Sequence, residues 1–89
     1  MLDSRTVEDL RKVFEEALGL CEAKELAFGS SWRQDPLDIL LMKAQERCSS
    51  LDLMVKNSDY SEVRNSLLKR LLDLINYTGF IYIRIKENK

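Results

Sequence analysis

An all-α fold is predicted for this chain, and three observations predict it. Apolar residues recur at the three- and four-residue spacing of amphipathic helices in three separate segments. Only 3 Gly and 1 Pro occur in 89 residues, as is typical of a helix-rich chain. With 45% apolar and 33% charged residues, the composition is that of a folded protein and not of a disordered one. The length predicts one helical domain over residues 1–89.

The first helix is predicted from about Thr6 to Leu26. Ser4 or Thr6 can cap its beginning, and Thr6 is followed three residues later by Asp9 in a near capping box. One apolar stripe then runs along the segment: Val7, Leu10, Val13, Phe14, Ala17, Leu18, Leu20 and Cys21. This helix therefore presents one face to a core.

The second helix is predicted to begin with Asp35 as N-cap and Pro36 in the first turn, where the missing N–H of proline costs nothing. Its apolar residues form two stripes: Leu37, Leu40, Leu41, Ala44, Cys48, Leu51 and Val55 on one side, and Ile39, Met42 and Leu53 on the other. A helix that is apolar on two sides is expected to lie between two layers.

The third helix is predicted to begin at Tyr60, after Asp59 and Glu62 in the spacing of a capping box, and to continue to about Lys86. The segment "FIYIRIK" alternates as a short strand would, but the helical period continues through residues 80–86 and favours a helix. The apolar stripes cover roughly half of the circumference. Since two partner helices in so small a chain cannot cover that much surface, we expect a bundle completed by dimerisation, as a homodimer or a tetramer.

Charge and composition exclude several function classes. The 14 basic and 15 acidic residues nearly balance, which argues against a nucleic-acid or anionic-membrane partner. The absence of histidine excludes a histidine-based triad and a histidine zinc site, so that a metal would be a hard cation held by carboxylates. No signal peptide or membrane span is recognisable, and cytoplasmic location with two reduced thiols, Cys21 and Cys48, is the expectation.

Several acidic residues interrupt the apolar pattern. With a rotation of about 100° per residue, Glu25 falls at the same angle as the first valine of the stripe, and Glu22 lies at the stripe's edge. Glu46 falls within the second stripe of the second helix. Asp73 and Asn76, three residues apart, share a polar arc of the third helix. The ordinary alternatives are a frayed helix end that leaves Glu25 in water, a Glu46 side chain that reaches past an interface to solvent, and a solvated face with a Lys69–Asp73 ion pair. A carboxylate that does face the core requires a cation or a hydrogen bond, and for Asp73 and Asn76 the functional alternative is a shared polar pocket.

The loop "FGSSWRQD" at residues 28–35 carries the groups that a nucleoside phosphate requires. Ser30 and Ser31 supply hydroxyl groups and backbone N–H groups, and Gly29 permits a positive φ. Trp32 offers a flat surface for stacking, and Arg33 offers a forked cation that suits phosphate. The alternative is a connector whose tryptophan plugs the end of the bundle and whose arginine pairs with a nearby aspartate.

The segments "FGSSWR" (28–33) and "LLDLINY" (71–77) resemble the nucleotide-modification-associated domain family, which is similar to the all-α NTP pyrophosphatases that include MazG-like proteins. The resemblance implies hydrolysis of nucleoside triphosphates between the α and β phosphates by an oligomer that holds Mg²⁺. It implies that Glu22, Glu25 and Asp73 hold the metal. It implies a nucleotide site formed by Ser30, Ser31, Trp32, Arg33, Asn76 and Tyr77.

The chain also departs from the family's pattern. The family's loop aspartate falls on Ala27, and the acid expected one turn before Asp73 falls on Lys69 or, with the alternative spacing, on Arg70. Either Glu46 or an acid of a second copy completes the metal site, or metal-dependent catalysis has been lost and Lys69 and Arg70 contact phosphate instead. The sequence thus predicts a MazG-like pyrophosphatase or a weakened nucleotide-binding relative, with no catalytic residue assigned. The alternative is a non-catalytic helical oligomerisation module.

Overall fold

The computed structural model of the chain describes residues 4–57 and 59–87, and its elements are helical. Helix α1 spans Ser4–Phe28, a short 3-10 turn spans Ser31–Arg33, α2 spans Leu37–Asn57 and α3 spans Tyr60–Glu87. The described residues contain no strand. The all-α class is therefore confirmed, and so is the helical assignment of residues 80–86.

Helix α1 is two residues longer at each end than predicted. Thr6 lies inside its first turn, so the prediction that this residue caps the helix is wrong. At the other end, Gly29 adopts a φ of 75° and donates its N–H to the Glu25 carbonyl at 2.7 Å. A left-handed residue with this hydrogen bond ends many helices, and glycine takes that conformation without strain. The loop that follows is thereby turned back across the bundle.

Helix α2 begins later than the predicted N-cap. The Pro36 carbonyl accepts the first helical N–H groups, from Ile39 and Leu40, so Asp35 lies one position too early to cap the helix. The Asp35 carboxylate instead accepts a hydrogen bond from the Lys43 ammonium group at 2.8 Å. This hydrogen bond raises the pKa of Lys43 above its ordinary value. The acid therefore ties the loop to the second turn of α2.

Helix α3 is capped by Asp59, the first residue of the predicted capping box. Asp59 Oδ1 accepts hydrogen bonds from the Ser61 backbone N–H at 2.9 Å and from the Ser61 hydroxyl at 2.8 Å. Both bonds favour the charged carboxylate and lower the pKa of Asp59. An aspartate in this position satisfies an N–H that would otherwise lack a partner.

The three helices enclose a small core, because α3 packs against both α1 and α2. Among the described residues the buried apolar side chains are Ala17, Trp32, Leu40 and Leu67. The radius of gyration is 14.8 Å, whereas about 12 Å is expected for a compact domain of this length. No described helix combines the length and the apolar content needed to cross a bilayer. The fold is thus an open bundle with much of its apolar surface uncovered.

Candidate functional site

A cleft of about 290 Å³ lies where the end of α1, the following loop and the middle of α3 meet. It combines charged, amide and aromatic side chains from segments that are far apart in the sequence. The cleft is lined by Cys21, Lys24, Glu25, Phe28, Gly29, Ser31, Trp32, Asp73, Asn76, Tyr77 and Phe80. Six of the predicted site residues are therefore brought together in one place.

Asp73 of α3 is the electrostatic centre of this cleft. Its Oδ1 accepts a hydrogen bond from the Lys24 ammonium group of α1 at 2.6 Å, and its Oδ2 lies 3.8 Å from Nε of Arg47 in α2. The Asp73 side chain is only 20% exposed. One carboxylate is therefore held between two cations from two other helices, and these contacts link all three helices.

Arg47 is held by contacts on several sides. Its guanidinium group lies over the Tyr77 ring, 4.1 Å from the centroid, in a cation–π contact. Nη1 donates to the Lys43 carbonyl at 3.1 Å, whereas the buried Nε has no hydrogen-bond partner. Arg47 lies outside the first cleft and lines a neighbouring, more polar one of about 200 Å³, together with Glu46, Arg70 and Asp73. The two clefts meet at Asp73.

Trp32 fills the end of the bundle and leaves little surface for a ligand. The residue is 8% exposed, and its ring stacks on Phe80 with centroids 4.4 Å apart and planes 5° from parallel. The Arg33 guanidinium group also lies over the indole, at 4.5 Å, and Nε1 donates to Glu25 Oε1 at 3.2 Å. A base could stack on this indole only after one of these neighbours moved.

Phe28 is the most exposed aromatic residue of the cleft, since Tyr77 and Phe80 are half-buried and Trp32 is buried. It is the last residue of α1 and is 80% exposed. The sequence pattern predicts the stacking surface at Trp32 and does not single out Phe28. The signal that favours Phe28 is its location beside Gly29, because the helix ends there and leaves the ring at the cleft's rim.

The loop is held in place by Arg84 of α3. Its Nη1 lies 2.5 Å from the Asp35 carbonyl, to which it donates, and 3.5 Å from the carbonyls of Trp32 and Arg33. One guanidinium group thus binds the carbonyl groups at the end of the loop, among which the Trp32 carbonyl also accepts the Asp35 N–H at 3.3 Å. Asn76 fastens α3 to α1 in a similar way, since its Nδ2 donates to the Ala17 carbonyl at 2.8 Å.

The other predicted site residues do not line the cleft. Glu46 borders the neighbouring one, and the remaining four are Glu22, Ser30, Arg33 and Lys69. Arg33 reaches toward Glu87, with Nη1 3.7 Å from Oε1. Lys24, Arg47 and Phe28 are site residues that the sequence reading did not assign. Arg47 and Lys24 have no motif of their own, and only the packing of the helices places them beside Asp73.

The carboxylates of one chain do not assemble into the metal site that the resemblance implies. In the part of the chain that the structure describes, no group of three or more His, Cys, Asp or Glu side chains is arranged to hold a metal ion. Glu25 accepts a hydrogen bond from Trp32, and Asp73 faces two cations. Magnesium requires several oxygen ligands in octahedral geometry, so the donors present in a single chain do not fit it.

Cys21 provides a chemical probe of the cleft. Burial, followed by the negative charges of Glu25 and Glu22, raises the pKa of this thiol above its ordinary value. Cys48 is exposed on α2, and both thiols are free. Because only the thiolate is alkylated, we expect iodoacetamide to modify Cys21 more slowly than Cys48, and the Cys21 rate to rise only at higher pH.

Mass spectrometry of each thiol over a pH series measures this difference, with Cys48 as the internal reference. Replacing Glu25 with glutamine should bring the pH profile of Cys21 closer to that of Cys48. Equal profiles in the wild-type protein would mean that neither burial nor the two acids raise the pKa of this thiol.

No protein-family model, curated protein or solved structure matches the chain.

Proposed function

We propose that this chain is a nucleotide-binding relative of the MazG-like pyrophosphatases and that it acts as a homo-oligomer. The observation that carries the proposal is the convergence of the two resembling segments. Residues from 28–33 and from 71–77, together with the end of α1, line one cleft. The likeness of these segments to a nucleotide-handling family rests on residue types and on order along the chain, and it is independent of their proximity in space.

The chemistry of the cleft suits a nucleotide. Lys24 supplies a cation for phosphate, and the loop at Gly29 and Ser31 supplies small, polar surface close to it. The exposed ring of Phe28 supplies a face on which a base can stack, a contact worth about 1–3 kcal/mol per base. In this proposal Trp32 and Arg84 shape the loop, and Phe28 takes the stacking role that the sequence reading gave to Trp32.

The proposal is tested by titrating the protein with a panel of NTPs and dNTPs, with and without Mg²⁺, and measuring the melting temperature and the heat of binding. A ligand that binds the folded state raises the Tm, by about 4–8 °C for each kcal/mol of binding free energy in a domain of this size. Phe28→Ala should weaken nucleotide binding while leaving inorganic pyrophosphate unaffected. The proposal is wrong if no nucleotide in the panel shifts the Tm or releases heat.

Hydrolysis between the α and β phosphates stays a prediction of the resemblance, and the cytoplasmic location stays a prediction from the composition of the sequence. The resemblance implies magnesium held by Glu22, Glu25 and Asp73 with Glu46 or acids of a second copy, and the described residues of one chain do not form such a group by themselves. Release of pyrophosphate and nucleoside monophosphate in the presence of Mg²⁺ would reveal this activity. A nucleotide that binds without turnover would identify a binding protein.

The open bundle supports the homo-oligomer, and it also favours the second candidate function, a helical oligomerisation module. The accessible surface is 7079 Å², whereas a monomeric protein of this mass exposes about 5,400 Å². The excess, about 1,700 Å², is of the size that one subunit buries in an obligate dimer. A second copy of the chain is the occupant that this area fits.

The apolar face of α1, formed by Val7, Leu10, Phe14 and Leu18, is the surface that we assign to this contact. Its side chains are 39–57% exposed along one stripe of the helix. Phe14 and Leu18 also border an open apolar groove of about 460 Å³ that continues onto Ile83 of α3. A helix of a second copy can cover the stripe and enter the groove.

Phe14→Glu is expected to dissociate the oligomer, because it places a charge at the centre of this face. An aromatic side chain at the centre of an interface typically contributes 2 kcal/mol or more, which corresponds to a roughly 30-fold weaker association. Sedimentation equilibrium over a range of protein concentrations measures the effect.

Lys12→Glu, two residues away and on the opposite side of the helix, is the matched control and should leave the assembly intact. A wild-type chain that sediments as a monomer at high micromolar concentration would contradict the assignment.

A further inference from the structure

We infer that phosphate groups bind without a metal ion where the two clefts meet at Asp73, through Lys24 of the first cleft and Arg47 of the neighbouring one. We further infer that Asp73 is an internal anion which occupies these cations until phosphate replaces it. The inference rests on the proposed function and gives that site its mode of recognition. It begins from the observation that the carboxylates of one chain do not suit magnesium. The carboxylate that the resemblance assigns to a metal already has an ammonium group 2.6 Å from Oδ1.

The two cations lie beside the two oxygens of the Asp73 carboxylate, where a metal ion would have to bind. Lys24 approaches Oδ1 from α1, and Arg47 approaches Oδ2 from α2. A Mg²⁺ ion at Asp73 would have to displace the ammonium group and would then be repelled by the guanidinium group. A phosphate oxygen has the opposite charge, and both cations attract it.

Arg47 also retains hydrogen-bonding capacity that its neighbours do not use. Its Nε is buried without a hydrogen-bond partner, because the 3.8 Å to Asp73 Oδ2 is too long for such a bond. A buried N–H without a partner is costly, and an anion that reaches it is correspondingly favoured. Arg70 borders the same carboxylate from the neighbouring cleft and extends the basic surface for a second phosphate.

This arrangement predicts opposite effects for the two members of the ion pair. Lys24→Gln removes a phosphate contact and should raise the Kd for inorganic pyrophosphate about tenfold. Asp73→Asn removes the competing anion and should lower the same Kd about three- to tenfold. If Asp73 is a magnesium ligand, the second substitution has the reverse effect and weakens binding.

The experiment is isothermal titration of the full chain with pyrophosphate and with ATP, once in EDTA and once in excess Mg²⁺, with adenosine as the ligand that lacks phosphate. The Lys56–Asp52 pair of α2 provides matched controls, since its atoms are 2.9 Å apart and both side chains are well exposed. Lys56→Gln and Asp52→Asn make the same charge changes away from the cleft, so both should alter the Kd less than twofold. Circular dichroism shows whether each variant is folded.

Three outcomes separate the inference from the function on which it rests. The inference is supported if pyrophosphate and ATP bind in EDTA, and if this binding weakens in Lys24→Gln and tightens in Asp73→Asn. The same change for both ligands shows that phosphate is the group recognised. Binding of ATP that requires Mg²⁺ and disappears in Asp73→Asn overturns the inference and leaves the nucleotide-binding function in place. Absence of binding for pyrophosphate and ATP in both buffers removes the two together.

Discussion

Leu40→Ala is expected to lower the free energy of unfolding by about 2–5 kcal/mol. Leu40 of α2 is 0% exposed and is the only large side chain of the described residues that is buried completely. Removing it leaves a cavity at the centre of a core that contains few other buried side chains, so little remains to compensate. Since small domains are stable by a similar amount, the variant is expected to be largely unfolded or close to it.

Urea titration followed by circular dichroism at one fixed protein concentration measures this loss. Leu26→Ala makes the same chemical change at a residue that is 92% exposed, and it should alter the unfolding free energy by less than about 0.5 kcal/mol. A Leu40→Ala variant as stable as Leu26→Ala would mean that the core does not lie where the structure places it.

Trp32→Ala is expected to lower the free energy of unfolding by about 3–5 kcal/mol, because Trp32 closes the end of the bundle. The substitution removes the stacking on Phe80 and leaves the Glu25 carboxylate without the Nε1 donor. Trp32→Phe keeps an aromatic ring against Phe80 and loses only the donor and part of the volume. Its stability should therefore fall between those of the wild type and the alanine variant.

Comparison with Phe28→Ala separates a structural role from a ligand-binding role. Phe28 is 80% exposed, so its removal should change stability little and affect nucleotide binding alone. Denaturant titration and nucleotide titration of the three variants provide both quantities. A Trp32→Ala protein that is fully stable but no longer binds nucleotide would restore the stacking role of the indole.

The local features of this chain follow from its sequence because they depend on neighbouring residues. The helical period continues through residues 80–86, and α3 accordingly extends to Glu87. Gly29 ends α1 through a positive φ, and Asp59 caps α3 through its carboxylate. The sequence predicts the N-cap of α2 at Asp35, one position before the observed N-cap at Pro36. A proline at the start of a helix can be either the N-cap or a residue of the first turn. Here Asp35 is not the cap, and its carboxylate pairs with Lys43 instead.

The pairing of charges could not be predicted in this way. In the sequence, Lys24 looks like any lysine on the exposed side of a helix. In the structure, its Nζ lies 2.6 Å from Oδ1 of Asp73, which is 49 residues away. Arg84 acts over a similar separation on the carbonyls of the loop, 49 to 52 residues away, and Arg47 acts on Asp73 over a shorter one. No periodicity relates these positions, because their proximity depends on how far each helix runs before it turns and on which faces then meet.

The sequence by itself determined three amphipathic helices, a loop that turns at Gly29, and more apolar surface than the chain can bury, since all of these are set by residue types within a few turns of each other. Only the tertiary structure decided that Trp32 fills the core, that Phe28 remains exposed at the cleft, and that Asp73 faces cations. These outcomes depend on packing between α1, α2 and α3, where contacts between distant residues choose among the many arrangements that the same helices allow.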